Sequence, residues 1–185
     1  FMAFDGDSVL VNRLKMDPWV VRELEYNMIL VYTQKSRLSS NIIEDQISNV
    51  KSKKTDNIAA MHQIKQHAND MKRLLLRGRT NEFGELLHEA WEQKKRMADS
   101  ITNEHLDELY EAARQAGAIG GKVSGAGGGG FMMFYCENNK KRQVVETLER
   151  MGARVESFKF ELDGVESWRN IRTEQLIRER LNLAV

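Results

Sequence analysis

Between Ser124 and Phe131 the sequence reads Gly-Ala-Gly-Gly-Gly-Gly, five glycines in the six positions from Gly125 to Gly130. An apolar run, Phe131 to Tyr135, follows at once. A tether would stay polar on its far side, so the flank argues for a placed loop. Glycine reaches backbone angles closed to other residues and lets a ligand come close to the main chain. Successive N–H groups in such a loop can converge on an anion, and phosphate is the common anion that rewards the arrangement. The candidate phosphate-binding set is therefore Ser124, Gly125, Ala126, Gly127, Gly128, Gly129 and Gly130, with the Ser124 hydroxyl as a further donor. Lys122 adds a nearby cation, although a lysine on the exposed side of a strand is its plainer reading. The P-loop spacing G-x-x-x-x-G-K-[ST] is absent. Gly125, Gly127 and Gly130 satisfy G-x-G-x-x-G, but a strand-like run follows where a dinucleotide site needs a helix. On the residues alone, a bulged turn whose glycines serve only the backbone stands level with the phosphate loop.

A second candidate is Thr33-Gln34-Lys35-Ser36-Arg37, a loop between a buried strand and a helix. Loops at strand ends are where ligands gather. Arg37 can make paired hydrogen bonds to a sugar phosphate, and Thr33, Lys35 and Ser36 could add donors. His88, Trp91, Lys94 and Lys95 share one helix, with Trp91 three residues from His88 and four from Lys95. A sugar could stack on Trp91, but a core tryptophan is the better reading. His62, His67 and His105 show no carboxylate pattern at metal spacing and read as solvated, as do Glu92 and Asp99. No metal-ligating set is expected.

These residues need elements to hold them. Ser8 to Leu14 reads as a strand paired with Phe1 to Phe4 across Asp5-Gly6-Asp7. Asp17-Pro18 opens a helix to about Tyr26. Met28 to Tyr32 is a continuous apolar run expected as a buried strand, and a helix begins near Ser39. Ile58, Met61, Ile64, Ala68, Met71 and Leu75 recur at helical spacing up to Gly78. Thr80 is expected to cap a helix burying Phe83, Leu86, Leu87, Ala90, Trp91, Met97 and Ala98. Thr102 is expected to cap another that buries Leu106, Leu109, Tyr110 and Ala113. Ala118 to Val123 and Phe131 to Tyr135 read as strands around the glycine loop, and Asn138 to Met151 as a helix closed by Gly152. Phe158, Phe160 and Leu162 alternate with charged residues, which predicts a half-exposed strand. The sum is an α+β fold, a mostly antiparallel sheet with a layer of helices on one face.

With 185 residues and 41% hydrophobic side chains the chain can bury a real core. Lys and Arg number 28 and Asp and Glu 27, a net charge of +1, so neither nucleic acid nor an acidic membrane surface is an expected partner. Cys136 is the single cysteine, which excludes an intramolecular disulfide and fits a reducing, cytoplasmic setting. No apolar run reaches the length of a bilayer span. The opening Phe-Met-Ala-Phe is strand-like at once, as expected of a piece of a longer polypeptide. The stretch after Trp168 is highly charged, with Ile171, Leu176, Ile177 and Leu181 roughly in helical phase. Residues 1–168 are read as one domain and 169–185 as a helix or tail outside it.

The stretch Lys-Val-Ser-Gly-Ala-Gly-Gly-Gly-Gly-Phe, Lys122 to Phe131, resembles the third motif of the GHMP kinases, the superfamily of galactokinase, homoserine kinase and mevalonate kinase. Its neighbourhood, FMAFDGDSVLVN, ELEYNMILVYTQKSR and LLHEAWEQKKRM, is similar to the bacterial D-glycero-D-manno-heptose phosphate kinases. The resemblance runs from Phe1 to about Trp168 and implies a C-terminal kinase domain. It implies ATP with Mg2+ as cofactors, transfer of the γ-phosphoryl group to a heptose 7-phosphate, and Thr33 to Arg37 on the sugar side. It also implies that the main ATP loop and the acidic catalytic residue lie upstream of Phe1, with no catalytic residue in this chain, which alone is expected to be inactive. A homodimer is left open. The alternative is a non-catalytic α+β module that binds a small molecule or a partner.

Overall fold

The computed structural model describes residues 1–35, 39–52 and 55–167. Along the chain run β1 (Met2–Asp5), β2 (Ser8–Val11), α1 (Pro18–Asn27), β3 (Met28–Tyr32), α2 (Ser39–Lys51), α3 (Thr55–Leu76) and α4 (Thr80–Lys95). After a 3-10 turn at Asp99–Ile101 come α5 (Glu104–Gln115), β4 (Ala118–Val123), β5 (Phe131–Cys136), α6 (Asn138–Arg150) and β6 (Arg154–Glu156). The main sheet has the order β4-β5-β3-β6, antiparallel at every joint. The apolar run Met28–Tyr32 is an inner strand, which is why it lacks alternation: it needs apolar cover on both sides.

On one face, Ile29 and Val31 of β3 join Met132, Phe134 and Cys136 of β5. They pack against Trp91, Ile101, Leu106, Leu109, Tyr110, Val144 and Leu148 from the helices and the 3-10 turn. Each such large apolar side chain contributes about 1.5–3 kcal/mol when fully buried. Tyr135 is next to Phe134 and so points the other way, yet it is also fully buried, with Val20 and Leu24 of α1 and Phe83 of α4. Its hydroxyl accepts from Asn27 Nδ2 at 3.1 Å and donates to Asn81 Oδ1 at 3.3 Å. Helical cover therefore reaches both faces at this end of the sheet.

Several local expectations are corrected. Thr80 is not a cap: Arg79 holds that position, and the Thr80 hydroxyl donates to Glu23 at 2.9 Å. Asn103, not Thr102, caps α5, its side chain accepting from the Leu106 N–H, while Thr102 donates to Asp107. No strand forms over Phe158 to Leu162; β6 precedes it and fills the edge beside Leu30 to Tyr32. Alternation supplies the face of a strand but not a free edge to pair with. Phe158 and Phe160 instead pack edge to face on each other, centroids 5.6 Å apart. His67 is not solvated, for its side chain is 12% exposed and lies 3.8 Å from Glu89. The charged stretch 169–185, with Trp168 before it, lies outside the described residues.

The β1–β2 hairpin forms in the expected place, Met2 opposite Val11 and Asp5 opposite Ser8. Every residue in it is exposed, Phe4 by 73% and Val11 by 68%.

What places the rest is the contact of α4 with β4. A Cβ on Gly120 would sit 2.0 Å from the Gly84 carbonyl oxygen and 2.9 Å from the His88 nitrogen. The α4 main chain lies against Gly120 here, and a Cβ on Gly84 would in turn sit 2.5 Å from the Tyr135 ring, so both positions lack a side chain. Gly120→Ala is therefore expected to cost about 1–3 kcal/mol, since main chain cannot rotate out of the way. Chemical denaturation measures this; a midpoint equal to wild type would show that α4 does not lie on β4.

Candidate functional site

The β4–β5 ladder gains one more bond where the Ser124 N–H donates to the Phe131 carbonyl at 2.8 Å. Beyond it the chain leaves the sheet as the six-residue loop Gly125 to Gly130. All five of its glycines have positive φ, from +73° at Gly128 to +132° at Gly129. L-residues with a Cβ take such angles at a cost of about 1–2 kcal/mol each, so the glycines build a fixed turn rather than a tether.

Neighbours hold that turn at three points. The Gly128 N–H donates to the Ile101 carbonyl at 2.7 Å, the Gly130 N–H donates to the Lys35 carbonyl at 2.7 Å, and the Thr33 N–H donates to the Gly130 carbonyl at 2.8 Å. His105 Nε2 lies 3.2 Å from the Thr33 carbonyl, so this histidine is part of the clamp and not solvated. The amides of Ser124, Gly128 and Gly130 are thus used by the protein. Among the described residues no hydrogen bond engages the amides of Gly125, Ala126, Gly127 and Gly129.

Two lysines flank the loop. Lys94, in the last turn of α4, donates to the Gly125 carbonyl. Burial, then the charge of Lys122, pushes Lys94 down to about 8. Burial alone also lowers Lys122, which is half-buried and not the exposed strand lysine its position suggested. Lys122 lies two residues past Gly120 on β4, on the face that meets α4. Among the described residues neither lysine has a carboxylate partner, whereas Lys95 pairs with Glu92 at 2.8 Å. The register explains the meeting. From Gly84 to Lys94 a helix rises about 15 Å; from Gly120 to the end of β4 at Val123 the strand advances about 10 Å, and the turn then brings Gly125 to Lys94.

The other candidate residues fall as follows. Thr33 is buried, with its hydroxyl bonded to the Lys35 and Gly130 carbonyls at 2.9 and 3.1 Å. Its donor is spent on the clamp and is not open to a sugar. The Lys35 side chain is exposed, and Ser36 and Arg37 lie outside the described residues. Trp91 is fully buried against Tyr110, core as expected. His88 Nδ1 is 2.7 Å from the Tyr110 hydroxyl, and burial, then Arg114, lowers the His88 pKa. A cleft of about 550 Å³ at the 3-10 turn is lined by Asp45, Asp56 and Asp99 with Arg96. Its charge is wrong for phosphate. Among the described residues no three His, Cys, Asp or Glu are grouped to hold a metal. Nor do any make a membrane-spanning helix. The clamp residues His105 and Ile101 and the glycine pair escaped the sequence reading. Only the spacing of Gly84 to Lys94 against Gly120 to Gly125 could have signalled the meeting of helix and loop.

Residues 71–154, which contain α4, β4, the loop and β5, match the family of GHMP kinases C terminal. Over 170 residues the chain is 35% identical to D-glycero-alpha-D-manno-heptose 7-phosphate kinase of Campylobacter jejuni, covering 91% of this chain and 50% of that protein. It is 33% identical over 110 residues to L-fucokinase/L-fucose-1-P guanylyltransferase of Bacteroides fragilis, 60% of this chain and 12% of that one. The crystal structure of a D-glycero-D-manno-heptose 1-phosphate kinase from Bacteroides thetaiotaomicron superposes with a TM-score of 0.60 at 37% identity, over 88% of this chain and 42% of that one. The chain thus spans half the length of the Campylobacter relative. With its α+β fold, antiparallel sheet and glycine loop between β4 and β5, the chain carries over residues 71–154 a match to the C-terminal domain of the GHMP kinases.

Proposed function

We propose that this chain is the C-terminal part of an ATP-dependent sugar kinase that transfers the γ-phosphoryl group of ATP to a heptose phosphate. One observation carries the reading: a rigid glycine loop with four unused amides, at Gly125, Ala126, Gly127 and Gly129, beside two cations. Phosphoryl transfer asks a protein for positioning and charge neutralisation more than for covalent chemistry. Amides fixed in advance meet that need because they do not have to reorganise as charge moves. The similarity to heptose phosphate kinases supports the sugar.

The remaining parts of the reaction fall to residues before Phe1. The base and the main ATP loop belong there. Mg2+ would arrive on ATP, for the loop is flanked by lysines, which do not ligate it, and among the described residues no three His, Cys, Asp or Glu are grouped to hold a metal. In this reading the roles of sugar-phosphate binding fall to Lys35, Ser36 and Arg37, and that of nucleotide-phosphate binding to the Ser124 hydroxyl. The enzyme acts in the cytoplasm, where ATP is plentiful. Residues 1–168 form the domain, with β1 and β2 completing a sheet of the preceding half and 169–185 outside it. Exposed apolar residues on both sides of the hairpin support that role, because a lone two-stranded ribbon is marginal in water.

Two outcomes test this reading. In the longer polypeptide, Gly125→Ala has open space around the new methyl but a φ of +76°. It is expected to lower kcat/KM about tenfold or more while the fold persists; turnover near wild type would remove the loop from the site. Amide hydrogen exchange at residues 2–11 should be fast in this chain and protected at least about a hundredfold in the longer polypeptide. Equal rates in both would detach the hairpin from any shared sheet.

A further inference from the structure

Lys94 and Lys122 stand in an arrangement that the fold alone does not explain. Both ammonium groups are partly withdrawn from water, they are close enough to repel one another, and among the described residues neither meets a carboxylate. Like charges held together without a counterion cost stability. The acceptor Lys94 has, the Gly125 carbonyl, is neutral, as is the C-terminal end of α4, which favours a cation only modestly. The same carbonyl belongs to the loop whose amides at Gly125, Ala126, Gly127 and Gly129 are unused. Lys94 meets the rigid turn at Gly125, Lys122 lies close enough to repel it, four donors of the same turn are unused, and the group missing from the charge balance is a dianion.

We propose that Lys94 and Lys122 form a paired cation subsite that takes a doubly charged phosphate group at the glycine loop. The proposal rests on the loop reading above and adds the side chains that neutralise the phosphate. Lys94 is a ligand already placed at the loop. A bound phosphate converts its neutral contact with the Gly125 carbonyl into a charge-assisted one. Lys122 comes close to Lys94 from β4, because its side chain lies on the face covered by α4. The subsite binds and positions; no bond is made or broken by either lysine.

The test titrates the full-length polypeptide with tripolyphosphate and with inorganic phosphate by calorimetry at low salt, beside thermal melts without anion. Lys94→Met and Lys122→Met are each expected to weaken binding about tenfold or more, the loss typical of a charged hydrogen bond. Lys94→Arg should keep affinity within about threefold. Without anion the melting midpoint of either Met variant should equal or exceed wild type, since an unpaired, partly buried charge has been removed. A loss confined to tripolyphosphate assigns the subsite to the nucleotide, and a loss confined to inorganic phosphate assigns it to a monophosphate such as the sugar's. Wild-type affinity in both Met variants overturns the proposal; if Gly125→Ala still weakens binding, the loop reading survives it. Wild-type affinity in all three overturns both. Weak binding in the lysine variants with Gly125→Ala unaffected supports the pair and overturns the loop. A midpoint lowered by about 5 °C, with lost affinity that Lys94→Arg does not restore, makes Lys94 a structural tether and overturns the subsite.

Discussion

The backbone-to-backbone contact between Gly84 and Gly120 governs where everything else in this molecule lies. A helix usually packs on a sheet through interdigitated side chains. Here both residues give up their side chains, and α4 settles onto β4 until main-chain atoms touch. That contact sets the register between the two elements. Once it is set, the rise of a helix and the advance of a strand deliver Lys94 to Gly125 and turn Lys122 toward α4.

The loop itself is held by a different economy. Five positive-φ glycines give a turn with no side chains, and such a turn would wander if nothing restrained it. Restraint comes from outside, through the carbonyls of Ile101 and Lys35 and the amide of Thr33. Ile101 is fully buried and Thr33 nearly so, which anchors those partners in turn to the core. Glycine there supplies shape, and the neighbours supply rigidity. The amides left over are the ones the protein does not need for itself. Core and site are therefore coupled: Tyr110, Phe134 and Trp91 pack the layer beneath, and α4 spans from that layer to the loop.

Much of the framework was legible in the residues. Met28 to Tyr32 announced an inner strand by lacking alternation, and Leu106, Leu109, Tyr110 and Ala113 announced a buried helical stripe. The glycine run together with its apolar flank marked a placed loop, and Trp91 read correctly as core. Misreadings came where a residue had two local partners available. Thr80 could have capped a helix but found Glu23 across the fold, and Thr102 yielded the cap to its neighbour Asn103. Phe158 to Leu162 had the alternation of a strand, but the edge of β3 was already taken by Arg154–Glu156.

The sequence by itself determined which segments are helix and strand, where the loop falls and which side chains are apolar enough to be core, because periodicity and backbone freedom are local properties. Only the tertiary structure decided that Thr33 and His105 clamp the loop, that two of its six amides are already spent, and that Lys94, twenty-eight positions before Lys122, meets the Gly125 carbonyl and lies close enough to Lys122 to feel its charge. Those outcomes depend on how closely α4 approaches β4. That distance is set by a pair of missing side chains on separate elements, and no window along the chain contains both.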